Sequence, residues 1–200
     1  MRSVVIIGAG GHAKVIADIV IRSGDRLLGF LDDQKEGSVF GEYSVIGKLA
    51  DIEKFKNDAL FIIGIGSAAV RERIAKASPV RWYTAIHPSA QFSLGAQIGS
   101  GSTVMAGAVI NADSVIGKHC IVNTRASVDH DCKIADFVHL SPGSTLCGTV
   151  SVGERTQIGA GTVIKNNISV CADVLVGCGS AVVKDITSAG TYVGVPARKV

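Results

Sequence analysis

A histidine lies between two aspartates in ASVDHDCKI, residues 126–134, where most other side chains are small or aliphatic. The pKa of an unperturbed imidazole is about 6.5, which suits a general base that removes a proton at neutral pH. A carboxylate bonded to the other ring nitrogen would fix its tautomer and stabilise the imidazolium. His130 is therefore a candidate base, with Asp131 or Asp129 as its partner. On spacing alone, a solvated corner without chemistry is an equally good interpretation.

A glycine turn forms a second candidate site near the start of the chain. GAGGHA, residues 8–13, fits the pattern GxGxx[GA] between a predicted strand and a predicted helix, and Asp32 and Asp33 follow about twenty residues later. Free N–H groups at a helix N-terminus attract anions, so we expect this turn to bind a diphosphate. The alternatives are an NAD site and a glycine turn that serves packing alone.

The elements around this turn predict a small parallel sheet. Strands are indicated at 3–7, 26–33 and 59–66, and helices at 11–23 and 68–78. The first helix should bury Val15, Ile16, Ile19 and Val20. Strands that alternate with helices predict a Rossmann-like α/β half domain. A dinucleotide fold needs two βαβαβ halves and only one fits here, which favours a single nucleotide over NAD.

A six-residue repeat begins at about residue 87. A small or β-branched residue stands two places before each repeating aliphatic or aromatic residue, and glycine often follows it. Such a unit is one short strand plus a corner, and stacked coils pair their backbones around a narrow apolar core. The sixteen positions are Phe92, Ile98, Val104, Ile110, Ile116, Val122, Val128, Ile134, Leu140, Leu146, Val152, Ile158, Ile164, Val170, Val176 and Val182. We expect the α/β half to cap one end of this stack and the tail after Val182 to cap the other.

Composition excludes several classes of function. The net charge of +3 is scattered, and only ten aromatic side chains are present, so we expect no nucleic-acid partner. No apolar run approaches the roughly 20 residues of a membrane span, and the N-terminus lacks the features of a signal peptide. The five cysteines form no CxxC pair, which indicates free thiols in a reducing compartment. We therefore expect a cytoplasmic protein.

The repeat resembles the left-handed parallel β-helix of hexapeptide-repeat acyltransferases, in which three hexapeptides complete one turn. N-x4-V-x-H-[DE]-C, present as Asn123 to Cys132, is similar to the catalytic segment of UDP-4-amino-sugar N-acetyltransferases and sialic acid O-acetyltransferases. GAGGH, FLDD, His139 and the terminal YVGVPAR (192–198) match the same family in the same order. The resemblance implies a nucleotide-sugar domain at 1–82 and a left-handed β-helix catalytic domain at 83–200.

The resemblance implies a role for each matched residue. His130 would be the base, Asp131 its partner and Asn123 a polarising or positioning group. In such relatives a second histidine and backbone amides hold acetyl-CoA between adjacent subunits, with Gly148 N–H as our candidate oxyanion donor. The acetyl-CoA residues matched by position are His139, Gly148, Ala160, Gly177 and Cys178. The nucleotide-sugar residues are Gly10, Gly11, His12, Asp32, Asp33 and Gly66.

These matches predict an acetyl-CoA-dependent N-acetyltransferase. Its substrate would be a nucleotide-linked 4-amino-dideoxy sugar, with UDP as the expected nucleotide, in surface glycan biosynthesis. Flat prism faces bury little alone, so we expect a homotrimer with sites between subunits. The alternatives are O-acetylation of sialic acid or another sugar, and a non-catalytic nucleotide-sugar-binding protein. We expect no metal, because His119, His130 and His139 lack the spacing of the zinc ligands in γ-class carbonic anhydrases.

Overall fold

Two kinds of strand divide the chain, which the computed structural model describes from residue 1 to 200. The first half has strands of three to six residues and two α-helices, whereas nearly every strand of the second half has two residues. The predicted α/β half followed by a left-handed β-helix is confirmed. Neither helix has the length and apolar character needed to cross a bilayer.

The α/β half is a five-stranded sheet in the order β3-β4-β2-β1-β5. β1 is parallel to both β2 and β5, which is one βαβ half and not the pair that a dinucleotide fold requires. The central strands and both helices were predicted from the sequence, but the hairpin and 3₁₀ helix of residues 38–54 were not. The elements are β1 Ser3–Ile7, α1 Gly11–Arg22, β2 Arg26–Leu31, β3 Ser38–Phe40, β4 Tyr43–Gly47, a 3₁₀ helix Leu49–Lys54, β5 Leu60–Ile63 and α2 Ala68–Ala77.

Helix α1 buries the predicted face except at one residue. Val15 is 43% exposed, so its assignment to the core is wrong, whereas Ile16, Ile19 and Val20 are buried as expected. Ala13 and Ala17 are fully buried beside them. Small side chains on the contact face let the helix lie close to the sheet, and this close packing turns Val15 toward solvent.

The second half is a three-sided prism. Each strand pairs in parallel with the strand three positions later, so residues 18 apart stack, as Val128 does on Leu146. We call the faces first, second and third, beginning with the strands β6, β7 and β8 respectively. The strands are β6 Ala85–Ile86, β7 Gln91–Phe92, β8 Gln97–Ile98, β9 Thr103–Val104, β10 Val109–Ile110, β11 Val115–Ile116, β12 Ile121–Val122, β13 Ser127–Val128, β14 Lys133–Ile134, β15 His139–Leu140, β16 Thr145–Leu146, β17 Ser151–Val152, β18 Gln157–Ile158, β19 Val163–Ile164, β20 Ser169–Val170, β21 Val174–Val176 and β22 Ala181–Val182.

The repeating aliphatic side chains fill the interior of the prism. Fourteen of the sixteen predicted positions, from Val104 to Val182, are buried in one core. Phe92 is 39% exposed and Ile98 is partly buried, because the first coil has no coil beneath it. The six-residue period therefore predicted the core correctly except at its open end.

Small inward residues do more than fill space. The hydroxyl of Ser114 donates to the carbonyl oxygen of Asp129 at 2.5 Å, and the thiol of Cys132 donates to that of Cys147 at 3.3 Å. Cys120 does the same for Ala135 at 3.0 Å. Buried polar groups need partners, and these bonds satisfy the carbonyls at the corners. The two cysteines thus combine the expected apolar packing with a hydrogen bond.

The α/β half packs on the side of the prism and not over its open end, contrary to our expectation. Met105 and Ile121, on the first face, are buried in the same cluster as α1. Tyr83 and Ala85 also belong to that cluster, so the apolar packing continues across residues 82 and 83. The domain boundary at these residues therefore stays a prediction.

The tail covers the far end of the prism, as expected. Ile186 enters the prism core, and Val170 pairs with it above the last coil of the third face. The final strands, β23 Gly190–Val193 and β24 Arg198–Lys199, extend the first face.

Candidate active site

His130 and Asp131 form a pair at the corner between the second and third faces. Asp131 has a positive φ of 59°, a conformation that Asp tolerates better than most residues. Its Oδ2 lies 2.8 Å from His130 Nδ1, and both side chains are more than half exposed. A carboxylate only accepts, so Nδ1 carries the hydrogen and Nε2 is left as a lone-pair nitrogen that faces outward.

Asp129 has a different set of partners. Its Oδ1 accepts from the side-chain amide of Asn111 at 3.0 Å and from the backbone N–H of His130 at 2.9 Å. Asn111 lies one coil below Asp129, 18 residues earlier. Of the two flanking acids that the sequence left open, it is Asp131 that bonds the imidazole, while Asp129 fixes the backbone. Asn111 was not predicted from the sequence, although its 18-residue spacing from Asp129 was a usable signal.

Both acids affect the protonation of His130. The hydrogen bond to Asp131, followed by the charge of Asp129, holds the pKa of His130 above its ordinary value. The amide of Asn111 and the His130 N–H in turn lower the pKa of Asp129. His130 is therefore a stronger base than a free imidazole, and it is unprotonated only at pH values above its raised pKa.

Gly148 lies directly above the imidazole. A Cβ atom added there would lie 2.5 Å from His130 Nε2, so this position accepts no side chain while the ring keeps its place. The N–H of Gly148 has no acceptor within the chain. The lone-pair nitrogen of His130 and a free backbone donor thus lie side by side, which is the arrangement required of a base beside an oxyanion site.

Asn123 and His139 form a separate pair. Asn123 Nδ2 lies 3.1 Å from His139 Nε2, and Asn123 Oδ1 accepts from the Thr124 N–H. Since an amide nitrogen only donates, His139 Nε2 is the acceptor and its hydrogen is on Nδ1. Burial, and then the charges of Arg71 and His12, lower the pKa of His139 to about 4. His139 is therefore neutral at physiological pH.

One whole face of the prism separates this pair from His130. Asn123 is at the corner between the first and second faces, and His130 is at the next corner. The single chain therefore does not bring Asn123 or His139 to the imidazole of His130.

The remaining residues expected to hold acetyl-CoA lie above Asn123. Ala160 and Cys178 occupy equivalent places in successive coils, and their N–H groups have no acceptor in the chain. Gly177 differs, because its N–H donates to Tyr192 O at 2.8 Å and its carbonyl accepts from Thr162. A Cβ at Gly177 would lie 2.8 Å from Val193, so packing against the tail explains this glycine. Its backbone groups are not free for a ligand.

The glycine turn leaves room for a ligand at its tip. A Cβ added at Gly10, Gly11 or Gly66 would contact nothing within 4 Å, whereas Gly8, with φ of +98°, would collide with Ile65. Helix α1 starts at Gly11 without a side-chain cap. The free N–H groups of its first turn therefore face open space, as an anion site requires.

The two aspartates after β2 have distinct environments. Asp32 accepts from the backbone N–H groups of Ala9, Gln34 and Lys35 at 2.7, 2.9 and 3.0 Å. Burial alone would raise its pKa, but these three donors lower it overall. Asp32 thus shapes the turn, while Asp33 bonds only through Oδ1 to the Leu49 N–H.

A cavity of about 490 Å³ lies beside these aspartates. Its wall combines apolar side chains, among them Leu31, Leu49 and Ile74, with the polar groups of Asp33 and Arg73. A mixed apolar and polar wall of this size suits a nucleoside.

His12, the last residue predicted for this site, lies where the two halves meet. Burial, and then the charge of Arg71, lower its pKa to about 4, and its Nε2 has no partner. A charge on His12 would disfavour one on His139, which indicates that the glycine turn lies near the Asn123–His139 pair. No group of three or more His, Cys, Asp or Glu side chains is placed to hold a metal ion.

Fold and site together define a hexapeptide-repeat transferase that carries an α/β half. The family described as the PglD N-terminal domain matches residues 3–77. The acetyltransferase domain of PglB from Neisseria gonorrhoeae FA1090 is 38% identical, with all of both chains covered and a TM-score of 0.95. PerB from Caulobacter crescentus, solved with CoA and GDP-perosamine, is 36% identical over 100% of this chain and 98% of that one, with a TM-score of 0.94.

A curated relative adds a named activity. UDP-N-acetylbacillosamine N-acetyltransferase of Bacillus subtilis is 42% identical over 106 residues, which are 50% of this chain and 49% of that protein. The match thus spans about half the length of this relative. The chain belongs to the left-handed β-helix sugar N-acetyltransferases.

The contact between Asp131 and His130 predicts a measurable change in protonation. Asp131→Asn removes the carboxylate that favours the imidazolium, so the pKa of His130 should fall. The His130 Cε1 resonance, followed by NMR as a function of pH, reports this value. Asp113→Asn, at the same corner one coil below, is the matched control and should have a smaller effect. An unchanged or higher pKa in Asp131→Asn would show that the contact does not set the basicity.

Proposed function

We propose that the protein transfers the acetyl group of acetyl-CoA to the amino group of a nucleotide-linked 4-amino-dideoxy sugar. The observation that carries this proposal is the placement of His130 Nε2, held outward by Asp131 and directly beside the free N–H of Gly148. A deprotonated amine attacks the thioester carbon, and the new N–C bond makes the amine nitrogen acidic. His130 Nε2 takes that proton as the bond forms.

The other residues stabilise the charges that develop. Asp131 stabilises the imidazolium through Nδ1, and the N–H of Gly148 donates to the oxyanion. The C–S bond then breaks, and His130 gives its proton to the sulfur. CoA therefore leaves as the thiol. A neutral His139, fixed by Asn123, offers its Nδ1–H as a further donor to the acetyl-CoA.

A site shared between subunits would bring these groups together. His130 and Gly148 lie at one corner, whereas Asn123, His139, Ala160 and Cys178 lie at or near the previous one. In a homotrimer, the corner with His130 of one subunit would face the other corner of its neighbour, and acetyl-CoA would lie in the groove between them. The cytoplasmic location likewise stays a prediction.

The α/β half would bind the nucleotide. The diphosphate would lie on the N–H groups at Gly10 and Gly11, and the nucleoside in the cavity beside Asp33. The similarity to a UDP-sugar enzyme of B. subtilis supports UDP. GDP is the second candidate, because PerB was solved with GDP-perosamine and matches the full chain.

A panel of acceptors tests the substrate class. Release of CoA thiol should require a 4-amino sugar linked to UDP, with less or none for the GDP-linked form, and mass spectrometry should locate the acetyl group on nitrogen. Thiol release with sialic acid alone would favour the O-acetyltransferase. Nucleotide binding without thiol release from any acceptor would favour the binding protein.

Loss of the base should slow the chemical step. His130→Ala should lower kcat by roughly 10²–10⁴-fold, the usual contribution of a general base, with little change in either KM. His87→Ala is the control, since that ring bonds to Ser89 and lies two coils below Asn123, at a different corner from His130. A turnover near that of the wild type in His130→Ala would remove this residue from the mechanism.

A side chain added at the glycine turn should weaken the binding of the nucleotide sugar and leave the binding of acetyl-CoA unchanged. Gly11→Val places two methyl groups in the open space where the diphosphate would lie, and no protein atom opposes them. The KM for the nucleotide sugar should rise about tenfold or more, equivalent to at least ~1.4 kcal/mol. The KM for acetyl-CoA serves as the internal control, and an equal rise in both would contradict separate binding sites.

A further inference from the structure

Arg71 is a buried cation at the junction between the two halves of the molecule. Its side chain rises from α2 and is only 1% exposed. All of its hydrogen bonds go to backbone carbonyl oxygens, and no acidic side chain forms an ion pair with it. A buried charge without a counter-ion is costly, so its polar contacts must compensate. Burial accordingly lowers the pKa of Arg71 to about 10.

The guanidinium joins two stacked corners of the prism. Nε donates to His119 O at 3.0 Å, and Nη2 donates to Phe137 O at 2.6 Å. These residues are 18 apart, occupy equivalent places in successive coils, and both have positive φ angles. The planar fork of an arginine can bond to both carbonyls at once, which a lysine ammonium cannot reproduce.

The same guanidinium holds the loop after β5. Nη1 donates to Gly66 O at 2.5 Å and to Ile65 O at 3.3 Å. Ile65 packs against Gly8 of the glycine turn, and it also lines the cavity beside Asp33. Arg71 therefore connects the walls of the nucleotide site directly to the backbone of the β-helix.

We propose that Arg71 is a positioning residue that holds the nucleotide-binding turn in register with the β-helix, so that a bound nucleotide sugar extends toward the acetyl-transfer site. This inference rests on the nucleotide site of the proposed function. Arg71 itself does not touch the substrate, since its four hydrogen bonds all go to the protein backbone and its side chain is buried.

Neighbouring histidines support this role. The charge of Arg71 contributes, after burial, to the lowered pKa of His12 and of His139, both about 4. The guanidinium therefore lies near His12 of the glycine turn and near His139 of the Asn123–His139 pair. The residue that links the two halves thus adds to the effect of burial in disfavouring charge on these two histidines.

Two variants and a control test the proposal. Arg71→Met keeps the length of the stem but removes every donor, and Arg71→Lys keeps the charge but not the fork. Arg22→Met, which removes an exposed arginine paired with Asp18 on α1, controls for the substitution itself. Circular dichroism establishes a temperature at which each variant is folded, and all other measurements are made there.

Binding of UDP and of CoA is measured separately by calorimetry, and kcat and both KM values are measured with the best acceptor. In Arg71→Met we expect the Kd for UDP to rise about tenfold or more while that for CoA stays within twofold. Arg71→Lys should give an intermediate value, and Arg22→Met the wild-type value. A merely structural arginine would lower the melting temperature and leave the ratio of the two affinities unchanged.

A readout without substrate comes from Trp82, the only tryptophan. Its ring lies edge-on to His119, with centroids 4.7 Å apart. Acrylamide should quench Trp82 more strongly in Arg71→Met than in wild type or Arg22→Met, because the junction loosens.

A wild-type affinity for UDP in a folded Arg71→Met would overturn the proposal, and so would equal losses of affinity for UDP and CoA. If Arg71→Met does not fold, the affinities of Arg71→Lys are judged by the same criteria. Absence of acetyl transfer in the wild type would instead count against the proposed function, and it leaves the quenching comparison intact.

Discussion

Parallel pairing of residues 18 apart is the constraint on which the structure depends. Many backbone N–H groups of each coil donate to a carbonyl of the adjacent coil, so the coils cannot slip without losing a whole ladder of hydrogen bonds. Side chains that lie far apart in the chain are thereby stacked at fixed places. His130 lies beneath Gly148, and Asn111 lies beneath Asp129, because the ladder holds them there.

The histidines show how this scaffold creates two kinds of chemistry from one side chain. His130 projects from an open corner beside two carboxylates, and its pKa is raised. His12 and His139 lie at the buried junction near a guanidinium, and their pKa values fall to about 4. At neutral pH, the first exchanges protons readily while the others are fixed neutral donors and acceptors. Their position in the fold, and not their identity, decides this difference.

The six-residue repeat explains why much of the prism could be predicted from the sequence. The aliphatic period predicted the core of the prism, and a motif of ten residues predicted the corner of His130. The glycine turn was found because free helix N–H groups and open glycines have a recognisable pattern. Asp32 and Asp33 were both predicted for the site, but only tertiary contacts distinguish the one that binds the turn from the one with a free oxygen.

Other features left no readable signal. Arg71 bonds only to carbonyl oxygens, which every residue has, so nothing in the sequence marks its partners. Val15 was misplaced because two alanines set the packing face of α1, and alanine contributes little to an apolar pattern. Likewise, whether the α/β half lies on the end or the side of the prism depends on surface contacts of Met105 and Ile121, which look like any outward residues of a coil.

Because the α/β half is attached to the side of the prism, the number of coils sets the distance along the prism axis between the glycine turn of this half and His130. The α/β half is fastened along residues 103–137, through the core contacts of Met105 and Ile121 and through the bonds of Arg71 to the carbonyls of His119 and Phe137, and His130 lies within this span. Each coil advances the axis by about 4.8 Å. Duplicating 18 residues just before His130 would keep the parallel pairing of the coils, yet it would move His130 by about one coil relative to the glycine turn. The number of coils before His130 therefore sets how far this imidazole lies from the glycine turn along the prism axis.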